Sequence, residues 1–429
     1  MFFLYHIIKY VLYQTIKQLI GAKMKVAAII CEYNPFHNGH AYQIRKTKEI
    51  TGADYIIAIM SGQFTQRGIP AIFDKYIRAK SCLLNDVDLV IELPTAFATA
   101  SAEFFAKGAV EIANSLGVVD YLSFGSECDN IDALKKISDL LIAESPQYQS
   151  MLKQHLENGY SFPKSRSLAI RDVLGPEFET IISKPNNILA IEYLKALTAT
   201  QSQIKPINIV RTLSEHNSDQ IVSEYCSSSA IRNSMQKASD LVDINQLVPQ
   251  GSFDCIRMSI NNGIPPLFLN DFSSFLRYKL IITNRTTLSH YSDVSRELSD
   301  KISNSKLYFK DYTSFIDSLK TKEITHSRIS RALLHILLEI DFIPDEKNIY
   351  ATILGFKNAS KNLLGEIKKA STIELISKNA RYKQILSSND DALKMFELDI
   401  LANDVYEAAL CIRSGIPSKN LLSKTPIIL

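Results

Sequence analysis

Short apolar runs alternate with longer amphipathic stretches through the first half of the chain. Four runs rich in β-branched and small apolar residues read as strands: KVAAIICEYNP from Lys25, DYIIAIMSG from Asp54, VDLVIELP from Val87 and VDYLSFGSE from Val119. Each is short for a helix and is punctuated by Gly, Pro, Asn or Asp. The segments between them carry roughly ten to twenty residues of helical pattern, enough for the crossover that joins parallel strands. A further strand, INIVRTL from Ile207, follows the helical stretch NNILAIEYLKAL from Asn186, and SSSAIRNSMQ from Ser227 reads as a capped helix start. The alternation predicts an α/β fold, a Rossmann-like parallel sheet flanked by helices. Past residue 245 it gives way to helical segments such as FSSFLRYKLIIT, HSRISRALLHILLEI and DVYEAALCIRSG. A first domain over 24–245 and a mostly helical second domain over 246–429 are therefore expected.

Residues 1–23 stand apart. They are apolar and aromatic, carry Lys9, Lys17 and Lys23 but no acid, and place Ile8, Leu12, Ile16 and Ile20 at helical spacing. The lysines interrupt the run short of membrane-spanning length, and no charged leader or small-residue cleavage site is present. We read this stretch as an extension upstream of a natural start at Met24; an amphipathic surface helix is the alternative. No stable membrane association is expected. At 429 residues, 46% hydrophobic and 22% charged, the chain has material for two or three domains, and its net charge of +3 does not demand a polyanionic partner. The six cysteines Cys31, Cys82, Cys128, Cys226, Cys255 and Cys411 contain no CxxC pair. That argues against a zinc ribbon or a disulfide framework and fits a reducing cytoplasm.

Two constellations bear chemistry. The first strand runs into Glu32-Tyr33-Asn34-Pro35-Phe36-His37-Asn38-Gly39-His40, so two histidines three residues apart open a helix at the carboxyl end of a strand. Helix amino termini attract phosphate, and imidazole N–H groups can follow charge onto a five-coordinate α-phosphate. Gly39 would let a flat purine approach the backbone. The plainer alternative is a pair of capping or core histidines; zinc is disfavoured because no adjacent acid completes an HExxH site. The second constellation is Ser227-Ser228-Ser229-Ala230-Ile231-Arg232, whose hydroxyls, free amides and guanidinium make a cradle for β and γ phosphates, although alone it is an ordinary capped helix.

HNGH and SSSAIR, in that order, resemble the HxGH and ISSTxIR motifs of the HIGH-motif nucleotidyltransferases, the superfamily of pantetheine-phosphate and nicotinamide-mononucleotide adenylyltransferases. With CEYNPFHNGH, MSGQFTQRG, DVDLVIELP, FGSE, SKPNNILAIEYL and the arginine of NIVRTLSEHN, the chain from Met24 onward resembles the tRNA(Met) cytidine acetate ligases.

The resemblance implies a carbon–nitrogen ligase that activates acetate as acetyl-adenylate, releasing diphosphate, and acetylates N4 of the wobble cytidine of elongator tRNA(Met). It implies ATP along Ile30, Cys31, Glu32, Tyr33, Asn34, Pro35, Phe36, His37, Asn38, Gly39, His40, Ala41, Tyr42 and Gln43, with Gly125, Asn186, Arg211, Thr212, Ser228 and Ser229. His37, His40 and Arg232 would be catalytic and Mg2+ is expected with the triphosphate. Asn186 alone would read as a helix N-cap and Arg211 as a surface ion pair. The loop Ser61–Gly68 could order over a bound acyl-adenylate. Arg328 and Arg331, three apart behind Lys320, Lys322 and His326, could meet tRNA phosphates or form a solvated helix face. A small-molecule adenylyltransferase and a non-catalytic RNA-binding protein remain as alternatives.

Overall fold

The computed structural model describes residues 24–211, 226–237 and 244–429; the readings of residues 1–23 and of Thr212 lie outside the described residues. The five apolar runs form β1 (Val26–Cys31), β2 (Tyr55–Ser61), β3 (Leu89–Leu93), β4 (Tyr121–Ser126) and β5 (Lys205–Val210). All pair in parallel, in the order β5-β4-β1-β2-β3. β1 and β2 are buried at every position, as befits central parallel strands covered on both faces.

Side chains of β1 alternate between two apolar layers. Val26, Ala28 and Ile30 belong to one layer, Ala27, Ile29 and Cys31 to the other. The helices that cover the sheet and frame the site are α1 (Asn38–Thr51), α2 (Lys75–Leu84), α3 (Ala102–Ser115), α4 (Pro185–Ala199) and α5 (Ser228–Lys237). Ile44 of α1 and Ala79 and Cys82 of α2 fill the second layer; Phe105 and Ala109 of α3 and Ile191 and Leu194 of α4 fill the first. From β1 the chain steps outward to β2 and β3, then crosses to β4 and β5 on the other side. The reversal opens a crevice between the carboxyl ends of β1 and β4, where such sheets bind ligands.

Later in the chain, α6 (His326–Leu337) and the long α7 (Asp390–Ser414) are helical, as the pattern predicts. This region also returns to the sheet. β6 (Ala351–Phe356) pairs antiparallel with β3, and the short β7 (Leu375–Ile376) and β8 (Ile427–Ile428) pair with β6. The run YATILGF is apolar and too short for its period to decide between strand and helix, so its pairing is not visible in the pattern. The first apolar layer runs without a break from β1 and β3 into α6 and α7.

Candidate active site

Between β1 and α1 the backbone is set by Tyr33 in the left-handed region (φ 47°), a conformation uncommon outside glycine, and by a cis Asn34–Pro35 peptide. His37 is the N-cap of α1. Its Nδ1 accepts the Gly39 N–H at 3.1 Å, and Nδ1 of His40 accepts the His37 N–H at 3.2 Å. Two imidazoles thus make the reciprocal capping box that Ser and Glu usually make. With both Nδ1 atoms accepting, the network assigns the proton of each neutral ring to Nε2. The rings stack with centroids 3.6 Å apart.

Burial, then the charges of Arg211 and Arg232, lower the His37 imidazole to about 3. Burial, His37 and Arg211 hold His40 well below the usual imidazole range. The pair is therefore neutral near pH 7 and offers N–H donors rather than cations. Among the described residues the buried Nε2 of His37 has no hydrogen-bond partner. A Cβ on Gly39 would stand 2.9 Å from Cε1 of His37, so the bare backbone there makes room for the capping imidazole rather than for a purine.

α5 brings the second constellation to the same crevice. Ser227 caps this helix, its Oγ accepting the Ala230 N–H at 3.1 Å. Arg232 donates to the Asn34 carbonyl at 2.8 Å and to Oγ of Ser229 at 2.9 Å. Burial lowers its guanidinium to about 10, partly opposed by Glu32, so it stays charged at neutral pH. Asn34 in turn accepts the Ile72 N–H at 2.8 Å and donates to the Pro70 carbonyl at 3.3 Å, fastening the β1 loop to the loop after β2.

Arg211, at the end of β5, is half-buried, and burial lowers its guanidinium although Glu127 opposes the shift. A Cβ on Gly125 would meet its Cγ at 3.2 Å, so the glycine gives that side chain its path. Asn186 is not an N-cap: Lys184 holds that position without a side-chain bond. The Glu127 carboxylate serves instead, accepting Nδ2 of Asn186 at 2.7 Å and the Asn187 N–H at 3.0 Å. This capping from another element was not readable from spacing.

Together these groups line a cavity of about 220 Å³. Of the expected ATP-binding and catalytic residues, Ile30, Cys31, Glu32, Tyr33, Asn34, His40, Gln43, Gly125, Asn186, Arg211, Ser228, Ser229 and Arg232 lie on its wall. His37 lies behind His40, and Pro35, Phe36, Asn38, Gly39, Ala41 and Tyr42 belong to the supporting turn and helix rather than to the wall. Sequence reasoning did not find the apolar side, Phe105, Phe124, Leu189 and Tyr193, a surface suited to a purine. Leu189 and Tyr193 share a face of α4, but their spacing looks like any core stripe.

A profile of the HIGH nucleotidyl transferase family matches residues 24–415. A relative from Thermoanaerobacter pseudethanolicus named tRNA(Met) cytidine acetate ligase is 41% identical over 390 residues, covering 90% of this chain and 96% of the relative. One of the same name from Acetivibrio thermocellus is 38% identical, covering 89% and 94%. The chain belongs to the tRNA(Met) cytidine acetate ligase family. The fold is similar to that of Thermotoga maritima TmcAL bound with alpha-thio ATP, with TM-score 0.87 and 30% identity over 95% of this chain and 100% of that one.

In this family member the loop after β2 reaches the cavity through Gln66, Arg67 and Ile69. Glu32 accepts the Gln66 N–H at 2.9 Å, and Arg67 is exposed. Buried Arg78 of α2 holds the base of the loop, donating to the carbonyls of Glu32 at 2.6 Å, Ser61 at 3.1 Å and Gly62. The tip rests on α6, where Oγ of Ser330 donates to the Gly68 carbonyl at 2.9 Å. The two arginines expected to meet tRNA differ: Arg328 is exposed, whereas Arg331 is drawn inward to Asp293 at 2.7 Å. Among the described residues no three His, Cys, Asp or Glu cluster to hold a metal, and no helix is long and apolar enough to cross a membrane.

Proposed function

We propose that this protein couples acetate to ATP as acetyl-adenylate and transfers the acetyl group to N4 of the wobble cytidine of elongator tRNA(Met). The observation that carries this reading is the pairing of two neutral imidazole donors with the Arg211 and Arg232 guanidiniums around one cavity with an apolar side. Acetate is a poor acyl donor because its oxygen leaves badly. Attack of that oxygen on the α-phosphate breaks the bond to the β-phosphate, and diphosphate departs.

Nε2–H of His40, with His37 stacked behind it, is suited to charge developing on the α-phosphate. Arg232, Ser228 and Ser229 are suited to the departing phosphates, and the apolar side to adenine. Donors already held by a capping box and half-buried arginines need little reorganisation during reaction, so positioning and electrostatics supply the acceleration. Mg2+ fits as an ion carried in on phosphate and water oxygens, which is its usual way of binding at nucleotide sites. When bound it would neutralise phosphate charge.

Arg328, with the neighbouring exposed Lys322, would meet tRNA phosphates, and a cytoplasmic setting suits that substrate. Incubation with ATP, acetate and total tRNA, followed by nucleoside mass analysis, tests the reading. N4-acetylcytidine confined to tRNA(Met) is the expected result; no modified nucleoside would exclude it.

A further inference from the structure

A second cavity, of about 200 Å³, adjoins the first. Ile69 and Arg232 line both. Its remaining wall includes Phe268 and Asn270 of the segment before residue 273, Asn233 and Gln236 of α5, and Thr313. It is smaller than the roughly 300 Å³ at which drug-sized pockets begin, and more polar on its rim than a core void. Asn270, Gln236 and Thr313 are exposed, so a macromolecule can reach it.

Its hydrogen-bonding sense is fixed by the fold. Oδ1 of Asn270 accepts both the backbone N–H and the hydroxyl of Thr313, each at 2.9 Å. The amide therefore cannot flip without losing two bonds, and Nδ2 remains as a donor. Cytosine carries acceptors at O2 and N3 beside its N4 amine, whereas uracil presents an N–H at position 3. Uracil also accepts at O2 and O4, so it is a fixed donor facing position 3 that matches the first and clashes with the second. Half-buried Phe268 supplies an aromatic surface of the kind on which displaced bases stack.

Taking the acceptor to be a tRNA cytidine, as proposed above, we infer that this second cavity receives the target cytosine, with Asn270 reading its acceptor edge across the Arg232 wall from the adenylate. The N4 lone pair then attacks the acetyl carbonyl carbon. A C–N bond forms, the carbonyl C–O bond to phosphate breaks, AMP leaves with that electron pair, and the amine proton passes to water. Activation of acetate needs only the first cavity, so the two half-reactions can be separated by substitution.

The test uses the full chain, Asn270→Asp and Phe268→Leu, and reads acetate-driven ATP–diphosphate exchange, acetyl transfer to tRNA(Met) and thermal unfolding. Asn270→Asp keeps both acceptor bonds from Thr313 and replaces the donor by a carboxylate oxygen, while Phe268→Leu alters the site without adding charge. Transfer should fall by about tenfold or more in each variant, the scale for a lost hydrogen bond or base stack. Exchange and the unfolding temperature should stay unchanged. Undiminished transfer in both variants, or loss of exchange together with transfer, overturns the assignment while leaving the acetate reading intact. Absence of exchange in the unaltered protein overturns that reading and this one with it.

Discussion

His37 divides two tasks between its two ring nitrogens: Nδ1 caps α1, and buried Nε2 is left as a donor. Asparagine keeps an acceptor short enough to cap but has nothing where Nε2–H stands. His37→Asn should therefore stay within about 1 kcal/mol of the parent stability in urea titrations while acetyl-adenylate formation drops roughly a hundredfold. Near-normal exchange in that variant would remove the histidine from the chemistry. The same burial predicts a pH dependence. The folded ring titrates at about 3 against an ordinary 6.5, so its contribution to stability is intact above 6.5 and drains away as pH falls toward 3. Acid unfolding should be shallower in His37→Asn, and an unaltered slope would contradict the buried neutral ring. The motif HNGH shows in the sequence that two imidazoles open a helix. It does not show which nitrogen serves the cap, because that follows from ring packing against Gly39 rather than from residue type.

The loop after β2 and α6 are a pair of elements that meet backbone to backbone. Gly68 has φ +70°, and a Cβ there would lie 2.4 Å from the Arg331 nitrogen. Gly68→Ala should cost about 1–3 kcal/mol through strain and overpacking, and should weaken ATP binding because Gln66, Arg67 and Ile69 on the same loop line the cavity. Calorimetry giving parent-like ATP affinity and stability would sink that link. The central strands β1 and β2 are legible because parallel strands covered on both faces must be apolar almost throughout, which leaves runs that punctuation brackets, whereas β5 at the sheet edge is half-exposed and shows only its β-branched residues. β6 is not legible, since one apolar run gains its meaning only from β3 across the sheet. α7 shows another limit. Asp399, Asn403 and Glu407 recur every fourth residue along one helix face, yet all three are buried. Asp399 accepts the Thr95 N–H at 2.7 Å and the Tyr350 hydroxyl at 2.6 Å, Asn403 meets Gln63 at 3.3 Å, and Glu407 pairs with Lys424 at 2.8 Å. Their partners lie in distant segments, so no local pattern reveals them.

At the scale of the molecule, a chain of net charge +3 that binds tRNA, as proposed above, would gather its cations locally, and the two proposed contacts differ. Arg331 is neutralised by Asp293, whereas Arg328 on the same helix is exposed. Arg328→Glu should weaken tRNA binding and flatten its salt dependence by roughly one unit of slope, because one phosphate contact fewer releases fewer counterions, while acetate activation without tRNA persists. An unchanged slope would put the RNA surface elsewhere. The remaining question for the whole enzyme is where its acyl group comes from. The strand-end crevice, the neutral histidine pair and the two half-buried arginines surround one cavity with groups that fit cleavage between α and β phosphates. A thioester donor arrives already activated and would leave those groups without a transition state to stabilise. Acetylation should therefore proceed from free acetate with ATP and without acetyl-coenzyme A, releasing AMP and diphosphate. Carbon-labelled acetate should enter tRNA only when ATP is supplied, with one AMP formed per acetyl group. Label entering from acetyl-coenzyme A but never from acetate would show that the cavity serves another reaction, even if N4-acetylcytidine is the product.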